Sequence, residues 1–117
     1  MARTARSDSG TTMTAPRRGR LRPGESAPAR GEVLFPLVGA DGLEVRQVLS
    51  GELEGPVDYQ QPDDEWALVI SGSARLKVGD EVLALGPGDW VWLPAGTPHR
   101  LLSTDQGTSW VTVHNQK

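Results

Sequence analysis

The sequence predicts an all-β fold, a sandwich or barrel of short strands, from two observations. Glycine and proline make up 23 of the 117 residues, nearly twice the usual share of about 12 per cent, which disfavours long helices. From Glu32 onward, apolar and polar residues alternate with a period of two, in runs separated by Gly, Pro or Asp. Such runs predict half-buried strands. A chain of this length holds one domain with a modest core.

The alternating runs predict eight strands joined by tight turns. Gly79-Asp80 is typical of a two-residue hairpin, because glycine adopts the positive φ that such turns require. Further turns are predicted at Leu85–Asp89 and at Leu93–Pro98, where two prolines cannot donate ladder hydrogen bonds. The predicted strands are Val33–Leu37, Leu43–Ser50, Glu65–Ser71, Ala74–Val78, Glu81–Leu85, Trp90–Leu93, His99–Ser103 and Ser109–His114.

The first 31 residues differ from the rest of the chain in charge and composition. They carry seven arginines against two acidic residues, a net charge of +5, whereas the remainder carries −8. This stretch lacks Val, Ile, Phe, Tyr and Trp, so it cannot bury enough apolar surface to offset the entropy of ordering. We therefore predict a disordered basic arm over residues 1–31 and a folded domain over residues 32–117.

Several roles for this arm stay open beside that of a solvated tail. It could contact an acidic surface, fold over the acidic domain of its own chain, or be a transit peptide rich in Arg, Ser and Thr. Nucleic-acid binding is disfavoured because the arm has no aromatic residue to stack on bases. Met13 is an alternative start, which would remove part of the arm.

Several classes of function are excluded by what the sequence lacks. Without cysteine there is no disulfide, no thiolate metal site and no cysteine nucleophile, so any metal must be held by nitrogen and oxygen ligands. The longest aromatic-aliphatic run, Trp66–Ile70, is far shorter than the about 20 residues of a membrane-spanning helix. Phosphate-binding glycine loops, G-x-S-x-G and H-E-x-x-H are absent. We expect a soluble cytoplasmic protein that does not bind membranes.

Two motifs at compatible spacing resemble those of the cupin superfamily. Residues Gly88–His99 read GDWVWLPAGTPH, which resembles the second cupin motif, and Glu65 with Gly72 resembles the end of the first motif. The resemblance covers roughly residues 32–117, and this part of the chain is similar to small bacterial single-domain cupins. It implies a cupin double-stranded β-helix, a jelly-roll-like barrel that binds a small molecule inside, and we expect a homodimer.

The resemblance also implies a set of site residues. In the family's pattern, two histidines and a glutamate of the first motif bind a divalent metal with a histidine of the second motif. Glu65 and His99 match that pattern, whereas Asp58 and Gln60 stand where the two histidines would fall. His114 is the only other histidine. Candidate ligands for Fe, Mn, Ni or Zn are therefore Glu65, His99, Asp58, Gln60 and His114.

A purely structural interpretation of these residues is also open. His114 lies near the C-terminus, where the strand could fray, and Glu65 could simply hydrogen-bond His99 or Arg100 across the barrel. The acidic run Asp63, Asp64 and Glu65 could raise the pKa of one member. Successive strand residues point to opposite sides, so of these three acidic residues we assign a role in the site to Glu65 alone.

Three functions remain compatible with this sequence. A metal-dependent oxygenase, isomerase or lyase would use Glu65 and His99 as ligands; without a metal they would form a general acid/base pair acting on a sugar-like, keto-acid or aromatic substrate. A non-catalytic ligand-binding or sensor cupin would have lost metal chemistry with the two missing histidines. The third is an interaction protein that docks through its basic arm. The fold by itself selects none of the three.

Strand alternation predicts which side chains face the barrel interior. If Glu65 points inward, so do Ala67 and Val69, while Trp66 and its alternate neighbours Leu68 and Ile70 face the other side. With both faces apolar, the sheet must be covered by a second layer or by a partner chain.

The same alternation bears on four further residues. Trp90 and Trp92 share one face. They could be core residues, the aromatic wall of a ligand pocket, or part of a dimer interface. Tyr59 is predicted to point away from Asp58 and Gln60. Arg100 is predicted to point away from His99 and form a surface ion pair.

Overall fold

The computed structural model describes residues 15–116, so the expectations for residues 1–14 and for Lys117 lie outside the described part of the chain. The all-β prediction is confirmed, and within residues 15–116 the only helical element is a 3-10 turn at Gly24–Ser26. That part of the chain has no helix long and apolar enough to cross a bilayer. The strands are β1 (Glu32–Ala40), β2 (Leu43–Ser50), β3 (Val57–Tyr59), β4 (Asp64–Ser71), β5 (Ala74–Val78), β6 (Glu81–Leu85), β7 (Trp90–Leu93), β8 (His99–Thr104) and β9 (Thr108–Asn115).

These strands form two antiparallel sheets in a jelly-roll-like arrangement. One sheet has five strands in the order β1-β2-β9-β4-β7, and the other has four in the order β3-β8-β5-β6. Strand β9 lies between β2 and β4, so the last strand pairs with two strands that are distant from it in the sequence. The hydrophobic core lies between the sheets and takes side chains from both: Ala67, Val69, Trp110, Ala74, Leu76, Leu85 and Leu101.

The predicted hairpin and the motif glycine both have a structural explanation. Strands β5 and β6 pair from Val78 with Glu81, and Gly79 between them has φ 59°. Gly72 closes the bend after β4 with φ 85°, and a Cβ there would lie 2.7 Å from the Cα of Thr108. Any larger residue at position 72 would therefore meet both backbone strain and a clash.

Apart from one-residue differences at the ends of β4, β8 and β9, the structure departs from the predicted strands in two places. Strand β3 was not predicted, because it has only three residues, lies between prolines in the sequence, and pairs only with β8. Strand β1 continues past Leu37 despite Pro36, because the pairing with β2 is irregular between Pro36 and Val38. A bulge removes the requirement for the hydrogen bond that proline cannot donate.

The interior and exterior faces of β4 follow the predicted alternation. Glu65, Ala67 and Val69 are buried, while Ile70 on the opposite face is exposed. Interpreting Trp90 and Trp92 as core residues is wrong: 60% of Trp90 and 49% of Trp92 are exposed. They pair with β4 on the outer face, because the inner positions of β7 are held by Val91, which packs against the core, and Leu93.

Residues 15–31, which the sequence assigns to the arm, contact the outer side of the five-stranded sheet. The backbone of Arg22 exchanges two hydrogen bonds with the side chain of Gln47, at 2.9 and 3.0 Å. The Arg22 guanidinium lies 4.0 Å over the ring of Phe35, and the backbone of Arg30 forms an isolated parallel β-bridge with that of Glu52. The structured part of the chain thus begins before Glu32, and the disordered arm stays a prediction for residues 1–14.

Candidate functional site

A cavity with a volume of about 270 Å³ opens between the two sheets. It is amphipathic, because one part of its wall is aliphatic and aromatic while the other carries charged and polar groups. The polar residues lining it are Glu32, Arg46, Tyr59, Gln61, Glu65, His99, Thr112 and His114. The apolar residues are Val33, Leu34, Val48, Ala67, Leu76, Leu93, Leu101 and Trp110.

Glu65 lies on the inner face of β4, between Leu93 of β7 and His114 of β9. Its side chain is 11% exposed. Burial raises the pKa of Glu65 to about 7, helped by the negative charge of Asp63 and opposed by the positive charge of Arg46. A carboxyl group with this pKa exchanges its proton near neutral pH, as a general acid or base must.

His99 begins β8 and faces Glu65 from the opposite sheet. Its Nδ1 lies 3.0 Å from the carbonyl oxygen of Thr97, and its Nε2 lies 3.9 Å from Oε1 of Glu65. Because a carbonyl oxygen can only accept a hydrogen bond, Nδ1 carries the proton in the neutral ring and Nε2 presents a lone pair to the cavity. The ring also stacks on Tyr59 with centroids 5.5 Å apart.

His114 is part of the same cluster, so the alternative of a frayed C-terminal histidine is wrong. It lies in β9 directly opposite both Glu44 and Glu65, and it is 3% exposed. Its Nε2 lies 3.8 Å from Oε2 of Glu65, and its Nδ1 lies 3.4 Å from Oδ2 of Asp63. Burial and the nearby Arg46 charge lower the pKa of His114, which Asp63 and Glu44 partly oppose.

Asp58 and Gln60 do not face this cluster. Asp58 is exposed and accepts hydrogen bonds of 2.6 and 3.2 Å from Arg100, which forms the predicted surface ion pair. The amide of Gln60 donates to the carbonyl oxygen of Gly96 at 3.0 Å. The cavity-facing positions are Tyr59 and Gln61, each one residue later. In a strand, a shift of one residue turns a side chain to the other face.

Tyr59 and Glu32 form a second polar group in the cavity that sequence reasoning missed. The Tyr59 hydroxyl donates to Oε1 of Glu32 at 2.7 Å, and the Ser50 hydroxyl donates to Oε2. Ser50 in turn accepts a hydrogen bond from Nε1 of Trp110 at 3.1 Å. Burial and the hydrogen bond to Glu32 raise the pKa of Tyr59 above its usual value. This network ties the start of β1 to the ring on which His99 stacks.

Arg46 is the other cavity residue that the sequence did not single out. It projects from the inner face of β2; its Nε donates to Glu44, and its Nη1 lies 3.5 Å from Nε2 of His114. The only available signal was alternation: Glu44 and Arg46 lie two apart on one strand and therefore share a face. Which face lies inward follows from the pairing of β2 with β9.

The donor set does not fit the divalent metal that the family resemblance implies. Of the five candidate ligands, three converge, Glu65, His99 and His114, and each imidazole Nε2 faces a different oxygen of Glu65. The Nε2 lone pair of His114 that a metal would need already faces Arg46 at 3.5 Å and Thr112 at 3.1 Å. Within residues 15–116, no group of three or more His, Cys, Asp or Glu side chains could hold a metal ion.

Fold and cavity together define a small β-barrel protein with an internal polar site. The family model described as "Cupin domain" matches residues 44–114. The chain therefore belongs to the cupin family, as its two sequence motifs indicated. No curated protein is significantly similar in sequence to the chain.

Solved structures agree with this assignment. A protein from Ralstonia eutropha JMP134, provisionally named a mannose-6-phosphate isomerase, is 33% identical, with a TM-score of 0.73 over 87% of this chain and 100% of that one. The DMSP lyase DddQ from Ruegeria pomeroyi DSS-3 is 24% identical, with a TM-score of 0.61 over 74% of this chain and 48% of its own. The cupin domain of an XRE family transcriptional regulator from Enterobacter cloacae is 18% identical, with a TM-score of 0.62 over 75% and 99%. The last two similarities show the fold alone.

Proposed function

We propose that this protein binds a small organic molecule in the cavity between its sheets and moves a proton on it through Glu65, with His99 as the partner. The observation that carries this proposal is the position of the Glu65 carboxyl group on the cavity wall, where it is buried. The Nε2 of His99 lies 3.9 Å from one of its oxygens, and the Nε2 of His114 lies 3.8 Å from the other. The cavity volume of about 270 Å³ lies just below the range typical of drug-sized ligands, which favours a small molecule.

The spacing between Glu65 and His99 leaves room for a reacting group. A separation of 3.9 Å is too long for a direct hydrogen bond, so a hydroxyl group or a water molecule can bridge the two side chains. Glu65 as the carboxylate takes a proton from the ligand and, as the carboxylic acid, returns one to it, while the Nε2 lone pair of His99 accepts a hydrogen bond from a ligand hydroxyl or a water molecule. Proton transfer next to a carbonyl or hydroxyl suits a sugar-like, keto-acid or aromatic acid ligand. The provisional name of the Ralstonia eutropha relative favours the sugar-like class.

Ligand-observed NMR in D2O tests binding and proton transfer together. Sugars, keto acids and aromatic acids are screened for saturation transfer and for exchange of a ligand C–H for deuterium. We expect exchange that is lost in Glu65→Gln and reduced in His99→Asn. Glu81→Gln, the same change on an exposed residue of β6, should retain it. If no ligand of any class reaches the cavity, the proposal is wrong.

A non-catalytic binding or sensor protein is the second candidate. It is favoured by positions 58–61, which supply an outward acid, a phenol bonded to Glu32 and two amides, but no imidazole. Binding without deuterium exchange in the wild type would support this candidate. Elemental analysis of tag-free protein separates both from a metalloenzyme: near-stoichiometric Fe, Mn, Ni or Zn, lost in Glu65→Ala and in His99→Ala, would contradict a metal-independent site.

We also propose that the chain forms a homodimer through the outer face of β4 and β7. Trp66 and Trp90 contact each other there with ring centroids 6.3 Å apart, and Trp90, Trp92 and Ile70 are exposed. An apolar sheet face of this kind favours a partner chain as its cover. Light scattering should give a dimer for the wild type and for Val82→Ser, an exposed apolar control. The double variant Trp90→Ser, Trp92→Ser should be monomeric; a wild-type monomer contradicts the proposal.

A further inference from the structure

Arg46 is the only lysine or arginine side chain that lines the cavity within residues 15–116. It projects from the middle of β2, where it pairs with Thr112 of β9. Its side chain is 22% exposed, so the guanidinium carries a permanent positive charge on the wall of a partly enclosed space. A cation placed there must have partners, or a ligand that supplies one.

The protein itself engages only part of the guanidinium. Nε donates to Oε1 of Glu44, which lies outside the cavity lining, and Nη1 lies 3.5 Å from Nε2 of His114. Within residues 15–116 no hydrogen bond to Nη2 is present. The edge formed by Nη1 and Nη2 therefore retains N–H donors, in the planar fork that matches a carboxylate or a phosphate.

The carboxylates inside the cavity lie nearest to groups other than the Nη edge. Glu32 accepts hydrogen bonds from Tyr59 and Ser50, and the two oxygens of Glu65 face His99 and His114. Glu44 uses the Nε side of the guanidinium. No acidic side chain of residues 15–116 forms an ion pair with the Nη edge. The anion that would complete this edge must therefore come from outside the described chain.

We propose that Arg46 receives an anionic group of the ligand, a carboxylate or a phosphate, and so determines both the class and the orientation of the ligand. This inference rests on the proposed function, because it assumes that the cavity binds a small molecule. With its anionic end on Arg46, the body of the ligand lies against the apolar wall, which includes Val48, Leu76 and Trp110.

Anchoring at Arg46 also directs the ligand toward the proton-transfer groups. His114 bridges the two, since its Nε2 lies 3.5 Å from Nη1 of Arg46 and 3.8 Å from Oε2 of Glu65. A ligand atom next to the anionic group therefore lies near Glu65, because a single side chain, His114, contacts both Arg46 and Glu65. The predicted class is a small organic anion whose reacting carbon lies close to its carboxylate or phosphate.

Matched pairs of simple probes test this inference. Benzoate and phenyl phosphate each carry an apolar ring with an anionic head, and benzamide is the neutral counterpart of benzoate. Binding is measured by titration in amide NMR spectra of the whole chain, reading the shifts of cavity residues. We expect benzoate or phenyl phosphate to bind with at least about tenfold higher affinity than benzamide, the difference typical of charge-assisted hydrogen bonds. Comparing the two anions shows which head group is preferred.

Four variants locate the effect at Arg46. Arg46→Gln should weaken the binding of the preferred anion by about 10- to 100-fold, and Arg46→Lys, which keeps the charge without the fork, by less. Glu44→Gln should strengthen it, because that carboxylate competes for the guanidinium. Arg100→Gln, which removes an arginine from an exposed ion pair with Asp58, should have no effect. Circular dichroism verifies that each variant is folded; Arg46→Lys and Glu44→Gln test the inference even if Arg46→Gln does not fold.

The outcomes separate this inference from the proposed function. Equal affinity of benzamide and both anions at cavity residues, or anion binding that ignores Arg46→Gln, overturns the role of Arg46 and leaves cavity binding intact. If neither anion binds saturably, the inference is wrong. If, in addition, no compound of the wider screen reaches the cavity, the proposed function is wrong as well.

Discussion

The two faces of the five-stranded sheet differ in the side chains that they present: the inner face adds charged groups to the apolar core that it supplies, and the outer face exposes apolar groups. The inner face presents a carboxyl group, a guanidinium and an imidazole at Glu65, Arg46 and His114, whereas the outer face presents Trp66, Trp92 and their apolar neighbours. Globular domains usually place apolar groups inside and polar groups outside. This arrangement is the basis of both proposals, a small molecule bound at the inner face and a second copy of the chain at the outer face.

The outer face is itself divided into a covered and an uncovered half. Residues 15–31 cover the side near β2, where Gln47 and Leu49 are fully buried, while the side near β7 leaves Trp90 and Trp92 exposed. The covering segment is held by hydrogen bonds to the buried amide of Gln47, whereas the uncovered half exposes the apolar side chains of Trp90, Trp92 and Ile70. A segment of the same chain and a second chain thus suit different halves of one sheet.

The largest expected effect concerns the inner face and is a gain in stability. The folded-state pKa of Glu65 is raised from 4.5 to about 7, so the wild type loses free energy of unfolding as pH rises through this interval. Glu65→Gln cannot ionise. At pH 8 it should be more stable than the wild type by up to about 3 kcal/mol, with almost no difference at pH 4.5.

Urea unfolding of both proteins between pH 4.5 and pH 8 checks this prediction. The difference between variant and wild type cancels the contributions of titrating groups that lie far from Glu65. Glu81→Gln on the surface should show no such pH-dependent gain. Parallel stability profiles for the wild type and Glu65→Gln would show that burial does not disfavour the Glu65 charge, and would remove the contrast between the two faces.

An intermediate effect is expected on the covered half of the outer face. Gln47→Ala removes two hydrogen bonds to the backbone of Arg22 and one of 3.0 Å to Ser109 Oγ, leaving buried partners unsatisfied. We expect a loss of about 1–3 kcal/mol in the free energy of unfolding. Proteolysis should also become faster within residues 15–31. The matched control is Gln106→Ala, whose side chain also bonds this segment at Pro28 but is exposed, so water replaces it. Equal losses in the two variants would contradict a special role for the buried amide.

The smallest effect is expected where an arginine–carboxylate pair lies on the surface. Asp58 and Arg100 form such a pair in solvent, in contrast to Glu44 and Arg46 at the cavity. Exposed pairs contribute little because solvent screens them. Asp58→Ala should leave both the melting temperature and anion binding unchanged within error. A clear loss of ligand binding in this variant would contradict the surface position of Asp58 and support the role in the site that the sequence motif implied.

Much of the fold could be predicted from local sequence, because strand and turn chemistry act over a few residues. The period-two runs and Gly79-Asp80 gave β2, β5, β6 and β7 with their observed limits. The motif residues Glu65 and His99 do meet in the cavity. The prediction missed β3, which is too short for a periodic pattern. It also missed the contacts of residues 15–31, which depend on hydrogen bonds between Arg22 and Gln47 rather than on apolar burial.

The composition of the site, by contrast, was decided by strand register and by pairing between distant segments. Counting along the motif placed Asp58 and Gln60 in the cavity, but the pairing of β3 with β8 turns Tyr59 inward instead. His114 and Arg46 join Glu65 only because β9 lies between β2 and β4. Sequence by itself determined that this chain forms short strands joined by tight turns, since periodicity and turn residues are local properties, and its two motifs resembled those of cupins at Glu65 and His99. Only the tertiary structure decided which groups surround them, because a one-residue change of register or a different strand neighbour reverses which side chains meet.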